Sequence, residues 1–226
     1  YLVKIESQQA TLKALQSQIN PHFIYNTLES ISMLALIRDN YEIVDMAQAF
    51  SMMMRYSMEP STLVAVREEV ENVRNFVTIQ KIRFPDRFLV EYAIDEECMA
   101  EMIPRLTMQP LVENAFKHGF EDTPEHKRLL VSVLKRRGFL VIRIFNDGMA
   151  VPAERIARIR ELLMSDNQEE TLDCFALRNL SRRLKLLFGG NSRVTLRSGN
   201  GIGTIVSLRI PLRKEGEEDD DKDFDL

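Results

Sequence analysis

The chain has 226 residues, 45% of them apolar and 28% charged, which is the balance of an ordinary globular protein long enough for one large domain or two smaller ones. The longest obvious apolar stretch, ISMLALI at 31–37, is far too short to span a bilayer. The net charge of −4 comes from the C-terminal end, where residues 215–226 (EGEEDDDKDFDL) hold eight acids and one lysine. What remains is slightly basic, with 29 basic against 26 acidic residues, and shows no nucleic-acid footprint.

That acidic tail, 214–226, is expected to be solvated and disordered. Cys98 and Cys174 lie far apart without a CxxC partner, so they signal neither a metal site nor a disulfide framework, and a reducing cytoplasm is the simpler setting. No signal-peptide pattern is visible. The chain opens on Tyr1, as an excised fragment would, which leaves room for a membrane anchor upstream.

Residues 1–83 read as helical. Ile5, Leu12 and Ile19 recur every seven residues, with Leu2, Gln9 and Gln16 offset by three, a partly polar coiled-coil seam. Pro21 lacks the N–H that would continue the helix ladder, so a bend is expected there. Beyond it Phe23, Thr27, Leu28, Ile31, Leu34 and Ala35 form one stripe, and His22, Asn26 and Glu29 another, which places the imidazole on an accessible face.

A second helix is expected at 41–58, carrying Ile43, Ala47, Phe50 and Met54 at 4-3-4 spacing, and a third at 66–83, carrying Val66, Val70, Val73 and Val77 at the same spacing. Six of the eleven methionines fall between Met33 and Met58, which suits either a partner surface or core filling. From about residue 87 the pattern changes. RFLVEYAI, LLVSVL, FLVIRIF, RVTLRS and GTIVSLRI read as strands, with helices expected at 104–118, 152–164 and 175–188. The boundary falls near 84–88.

The helix at 104–118 ends in QPLVENAFKHGF. Helical spacing puts Glu113 and Lys117 on one face, with Asn114 and His118 beside it. An amide oxygen can ligate Mg²⁺ and a lysine can meet phosphate, although a solvated Glu–Lys pair has the same spacing. The strand FLVIRIF runs into NDGMAVP, and GNGIGT precedes the last strand. Glycines there either let backbone approach a ligand or simply make a turn.

INPHFIYNTLESI resembles the phosphoacceptor box of the LytS/YesM-like sensor histidine kinases. REEVENVRNFVTIQKIRFPDRF is similar to their linker helix, and IPRLTMQPLVENAFKHG to their asparagine box. RNLSRRLKLLFG and GTIVSLRIPL resemble the lid-side helix and the closing strand.

The resemblance implies an α+β chain in three parts: a helical dimerisation and phosphoacceptor region (1–85), a two-layer α/β sandwich of the Bergerat or GHKL ATPase type (86–213), and the tail. It implies ATP and Mg²⁺ as cofactors, a homodimer, a response-regulator receiver domain as partner, and no direct nucleic-acid contact. It also implies that the chain is the cytoplasmic portion of a bacterial inner-membrane sensor. His22 would accept the γ-phosphoryl, Glu113 would orient the reacting group, and Asn114 would hold Mg²⁺ between the phosphates. Lys117 and His118 would lie near the phosphates, while Asn146, Asp147, Gly148, Gly203 and Thr204 would complete the nucleotide site.

The chain departs from the family pattern in two places. Asn146 stands where an aspartate normally accepts the adenine amino proton; its amide oxygen can still accept, without charge, and Asp147 could substitute if the turn shifts by one residue. Ala150, Cys174 and Ala176 replace glycines of the adenine box and the lid. These departures keep two alternatives open: a non-catalytic dimeric scaffold with weakened or absent nucleotide binding, and an ATPase in which His22 is structural.

Overall fold

A computed structural model describes residues 21–117, 127–164, 175–199 and 202–212. His118, Cys174, the acidic tail, the expected coiled-coil seam and the approach to the bend expected at Pro21 lie outside the described residues. The described residues divide into two compact units: one takes in residues 21–60 and 74–83, the other residues 61–73 and those from 84 to 212.

In the first unit α1 (Pro21–Ile37) and α2 (Tyr41–Met58) form a helical hairpin. The chain reverses at Asp39, whose φ of 53° lets the Asn40 N–H reach the Ala35 carbonyl at 2.9 Å. The Asn40 side chain then caps α2 by accepting from the Ile43 N–H. Ala35, Val44, Ala47 and Ala49 are buried, and Arg55 lies over the Tyr25 ring.

The apolar stripes of α1 and α2 are mostly outside. Phe23, Ile31, Leu34, Ile43 and Phe50 are exposed, as are Met33, Leu36, Ile37, Met52 and Met58. Small residues seal this hairpin, which leaves the larger apolar side chains facing outward. The third helix, α3 (Val66–Arg83), conforms to its spacing: Val66, Val70, Val73 and Val77 are all buried.

The second unit holds a five-stranded sheet in the order β2-β4-β5-β7-β6. Its strands are β2 (Phe88–Ile94), β4 (Lys127–Arg136), β5 (Phe139–Asn146), β6 (Arg193–Gly199) and β7 (Gly203–Pro211). Only β2 and β4 run parallel; the other neighbours are antiparallel. The β4–β5 hairpin turns through Arg137 and Gly138, both at positive φ. Alternate residues Leu129, Val131, Val133, Leu140, Ile142, Ile144, Leu208 and Ile210 are buried. Helices α4 (Gln109–Ala115), α5 (Ala153–Met164) and α6 (Phe175–Phe188) pack against the sheet, so the unit is a two-layer α/β sandwich.

The helix expected at 104–118 is shorter than its pattern. Met102–Pro104 form strand β3, which pairs with β1 (Leu63–Ala65), and Leu106 takes a left-handed φ of 57° that excludes helix there. The carboxylate of Glu69 on α3 accepts from the N–H groups of Leu106, Thr107 and Met108 at 2.5, 2.9 and 2.7 Å. It thereby occupies the amides that lead into α4, and α4 starts only at Gln109.

Candidate functional site

The inner end of β5 carries Asn146, which is buried and paired in register with Leu129 of β4 and Thr204 of β7. Thr204 is buried too, and its hydroxyl lies 2.7 Å from that of Ser198 on β6. Ser198 donates to the Gly203 carbonyl and accepts from the Val151 N–H, tying the loop after β5 to the β6–β7 hairpin. An amide and two hydroxyls therefore meet in a largely dry place, beside strands that end together.

Asp147 sits differently. It is exposed, and its carboxylate accepts from the Arg128 N–H at 2.6 Å while its own N–H bonds the Arg128 carbonyl. This two-way tie to β4 holds the turn in register and keeps Asn146, rather than Asp147, at the buried position. Gly148 follows in the loop, half-buried. Gly203 has φ +94°, and an added Cβ there would run into the main chain of Asn146 and Asp147. Close approach of strand to strand, not of strand to ligand, accounts for that glycine.

Helix α4 packs on β5, the strand that Asn146 ends. Asn114 is half-buried on it, and Glu113 and Lys117 are exposed. The Glu113 carboxylate accepts from the Gln109 side-chain N–H at 2.6 Å, one turn back. Beyond Ala115 the helix widens into a π-type turn at Phe116 and Lys117, so the simple i+4 spacing that pairs Glu113 with Lys117 in the sequence does not hold there. Phe116 anchors the widened turn edge-on against Phe88 of β2, with ring centroids 4.6 Å apart.

Among the described residues no group of three or more His, Cys, Asp or Glu could hold a metal ion by itself. Asn114 offers a neutral oxygen, which suits Mg²⁺ that takes most of its ligands from phosphates and water. Asn146, Thr204 and Ser198 suit a flat heterocycle that presents an amino group to an acceptor.

His22 belongs to the other unit. It is exposed on α1, with its Nδ1 3.3 Å from the amide nitrogen of Asn26 one turn on. Sequence reasoning missed Glu69, Asn72, Gln109 and Ser198. For the first two a signal existed: both are polar yet lie next to the valine stripe of α3, and both are buried.

The family model for histidine kinase matches residues 10–88, and the model for histidine kinase-, DNA gyrase B- and HSP90-like ATPases matches residues 100–214. The chain belongs to the sensor histidine kinase family. Its relatives include the sensor protein LytS of Staphylococcus saprophyticus, 32% identical over 93% of this chain. The sensor histidine kinase YesM of Bacillus subtilis is 33% identical over 92% of this chain. The chain spans about a third of the length of these curated relatives, 35% and 34% of them respectively.

Among solved structures, the histidine kinase domain of a blue-light-activated histidine kinase from Erythrobacter litoralis EL346 shares the fold. It matches with a TM-score of 0.50 at 15% identity, over 85% of this chain and 94% of that one. The match to the ATPase model falls within the second unit. No described helix is long and apolar enough to cross a membrane.

Proposed function

We propose that this chain is the phosphoacceptor and catalytic portion of a sensor histidine kinase. It moves the γ-phosphoryl of ATP to His22 and then to the receiver domain of a response regulator. The observation that carries the reading is the conjunction, in one chain, of an exposed imidazole on α1 with Asn114 on a helix that packs on β5, the strand whose end holds the buried Asn146–Thr204 pair.

His22 attacks through a ring nitrogen as the bond from the γ-phosphorus to the β,γ-bridging oxygen breaks and ADP leaves. The lone pair must be free on the attacking atom. A half-turn of the Asn26 amide puts its oxygen at the Nδ1–H of His22, which leaves the lone pair on Nε2. Glu113 takes up or orients the imidazole proton. Asn146 accepts from the adenine amino group, with Thr204 beside it, Gly148 lies below the ring and Gly203 keeps the two strands together. Asn114 would hold Mg²⁺, which neutralises phosphate charge, and Lys117 and His118 would lie along the phosphates.

The division at about residue 85 into phosphoacceptor and ATP-binding regions belongs to the same proposal. So do a homodimer, for which the exposed apolar residues of α1 and α2 supply a surface, and a cytoplasmic location with a membrane segment upstream.

The test is incubation with Mg²⁺ and γ-labelled ATP of the wild type, His22→Ala and Asn114→Ala. Acid-labile label on the wild type alone is the expected result. Label retained by His22→Ala removes His22 as the acceptor. A folded wild type that neither binds Mg-ATP nor takes label favours the scaffold, and ATP hydrolysis without label, unchanged in His22→Ala, favours the ATPase.

A further inference from the structure

Helix α3 does more than join two parts of the chain. Glu69 and Asn72 lie three residues apart and so share one face. Glu69, fully buried, holds three successive amides at the entrance to α4, which fixes α3 against that entrance within hydrogen-bond tolerance. One turn further, the Asn72 side-chain N–H donates to the Gln109 side-chain oxygen at 2.5 Å, and the Gln109 N–H donates to Glu113 at 2.6 Å.

We propose that Asn72 and Gln109 are positioning residues for Glu113, so that the placement of α3 decides whether that carboxylate is held or free. This rests on the reading of Glu113 as the group that orients the reacting imidazole. An exposed glutamate samples several rotamers, and a single charge-assisted bond selects one. The Gln109 amide cannot turn over without losing a bond at each end, because its oxygen is taken by Asn72 and its nitrogen by Glu113. Asn72 is itself buried, and its Oδ1 has no hydrogen-bond partner among the described residues. A half-satisfied buried amide costs stability and calls for an explanation, which the bond from its other half to Gln109 supplies.

The relay is sensitive to small displacements. Sliding α3 by one residue moves it about 1.5 Å along its axis, and turning it by one residue swings Asn72 about 100° away. Either breaks the Asn72–Gln109 bond. Residues 74–83 of the same helix belong to the helical unit, so α3 is the covalent route by which a rearrangement there reaches Glu113.

The experiment compares wild type, Asn72→Ala, Gln109→Met, Glu113→Gln and the two double variants with Glu113→Gln. It reads acid-labile phosphate uptake at saturating Mg-ATP and the Kd for Mg-ADP. Each relay variant is expected to slow uptake about three- to tenfold with Kd within about twofold, and neither should slow the Glu113→Gln protein further.

Gln109 is only half-buried, so Gln109→Met carries the test if Asn72→Ala fails to fold. Wild-type uptake in Gln109→Met, or losses that multiply with that of Glu113→Gln, overturns the relay. An unlabelled wild type, or a Glu113→Gln protein as fast as wild type, overturns instead the reading of the site on which the relay rests.

Discussion

Gly203 at the start of β7 lies against the main chain of Asn146 and Asp147 at the end of β5: a Cβ on it would stand 2.7 Å from the Asp147 Cα and closer still to the Asn146 carbonyl oxygen. Its φ of +94° is also one that other residues rarely adopt. Gly203→Ala therefore combines backbone strain with a clash against main chain that cannot swing aside. A loss on the order of 3 kcal/mol is expected. Urea unfolding measures it, and a loss below about 1 kcal/mol would show that the two strands can part without cost.

Glu69 is the second structural keystone. Replacing it with alanine leaves three amide donors without an acceptor, two of them buried and that of Leu106 part-buried, and each orphaned buried donor costs about 1–3 kcal/mol. Glu69→Ala should lose at least about 3 kcal/mol in chemical denaturation. Glu69→Gln keeps one oxygen but sets an amide N–H against the same donors, so it should recover only a small part of that loss. Two variants equal to wild type would mean that water serves these amides as well as the carboxylate does.

The strands and most helices were legible because their apolar spacing survives folding. The 41–58, 66–83 and 175–188 patterns correspond to α2, α3 and α6 with the same ends. The segment 104–108 misled because QPLVENA is strongly helical, while the stop at its front comes from Glu69, distant in sequence and joined only in the fold. The stripes on α1 and α2 were legible as stripes only: spacing marks an apolar face without saying what covers it. Of the candidate site, the register that sets Asn146 against Thr204 could not be read, since it depends on how β5 and β7 pair. The Asn72–Gln109–Glu113 relay needs two helices at once and left no local pattern.

Cys98 ends the short helical turn after β2 and is fully buried. Desolvation is the main cause that pushes its thiol pKa up; the negative charge of Asp95 adds to it, and Lys135, paired with Glu101 at 2.8 Å, opposes it in part. The reactive thiolate is therefore suppressed in the native chain. Alkylation of Cys98 by iodoacetamide near pH 8, followed by peptide mass mapping, should run at least about a hundredfold slower in the folded than in the urea-unfolded protein. The sign for stability follows. The unfolded thiol ionises first as pH rises, so the raised pKa contributes stability below the ordinary thiol range and loses it through that range and above. Equal labelling rates in the two states would place Cys98 at the surface.

In the proposed function Asn146 would decide how the chain meets a base. In the proposed site its amide oxygen accepts from the adenine amino group without the help of charge, and a charge-assisted bond is about twice as strong. Asn146→Asp should therefore tighten Mg-ATP binding about fivefold, or roughly 1 kcal/mol, while leaving GTP no better bound. The same change puts an acid into a place that is 5% exposed, beside Thr204 and Ser198, so the nucleotide-free protein should lose stability. Asn146→Ala removes the acceptor and should weaken ATP at least about tenfold. Calorimetry with ATP and GTP on the three proteins separates the outcomes. If the aspartate weakens ATP and the alanine leaves it unchanged, Asn146 serves the β5–β7 register alone and the base binds elsewhere.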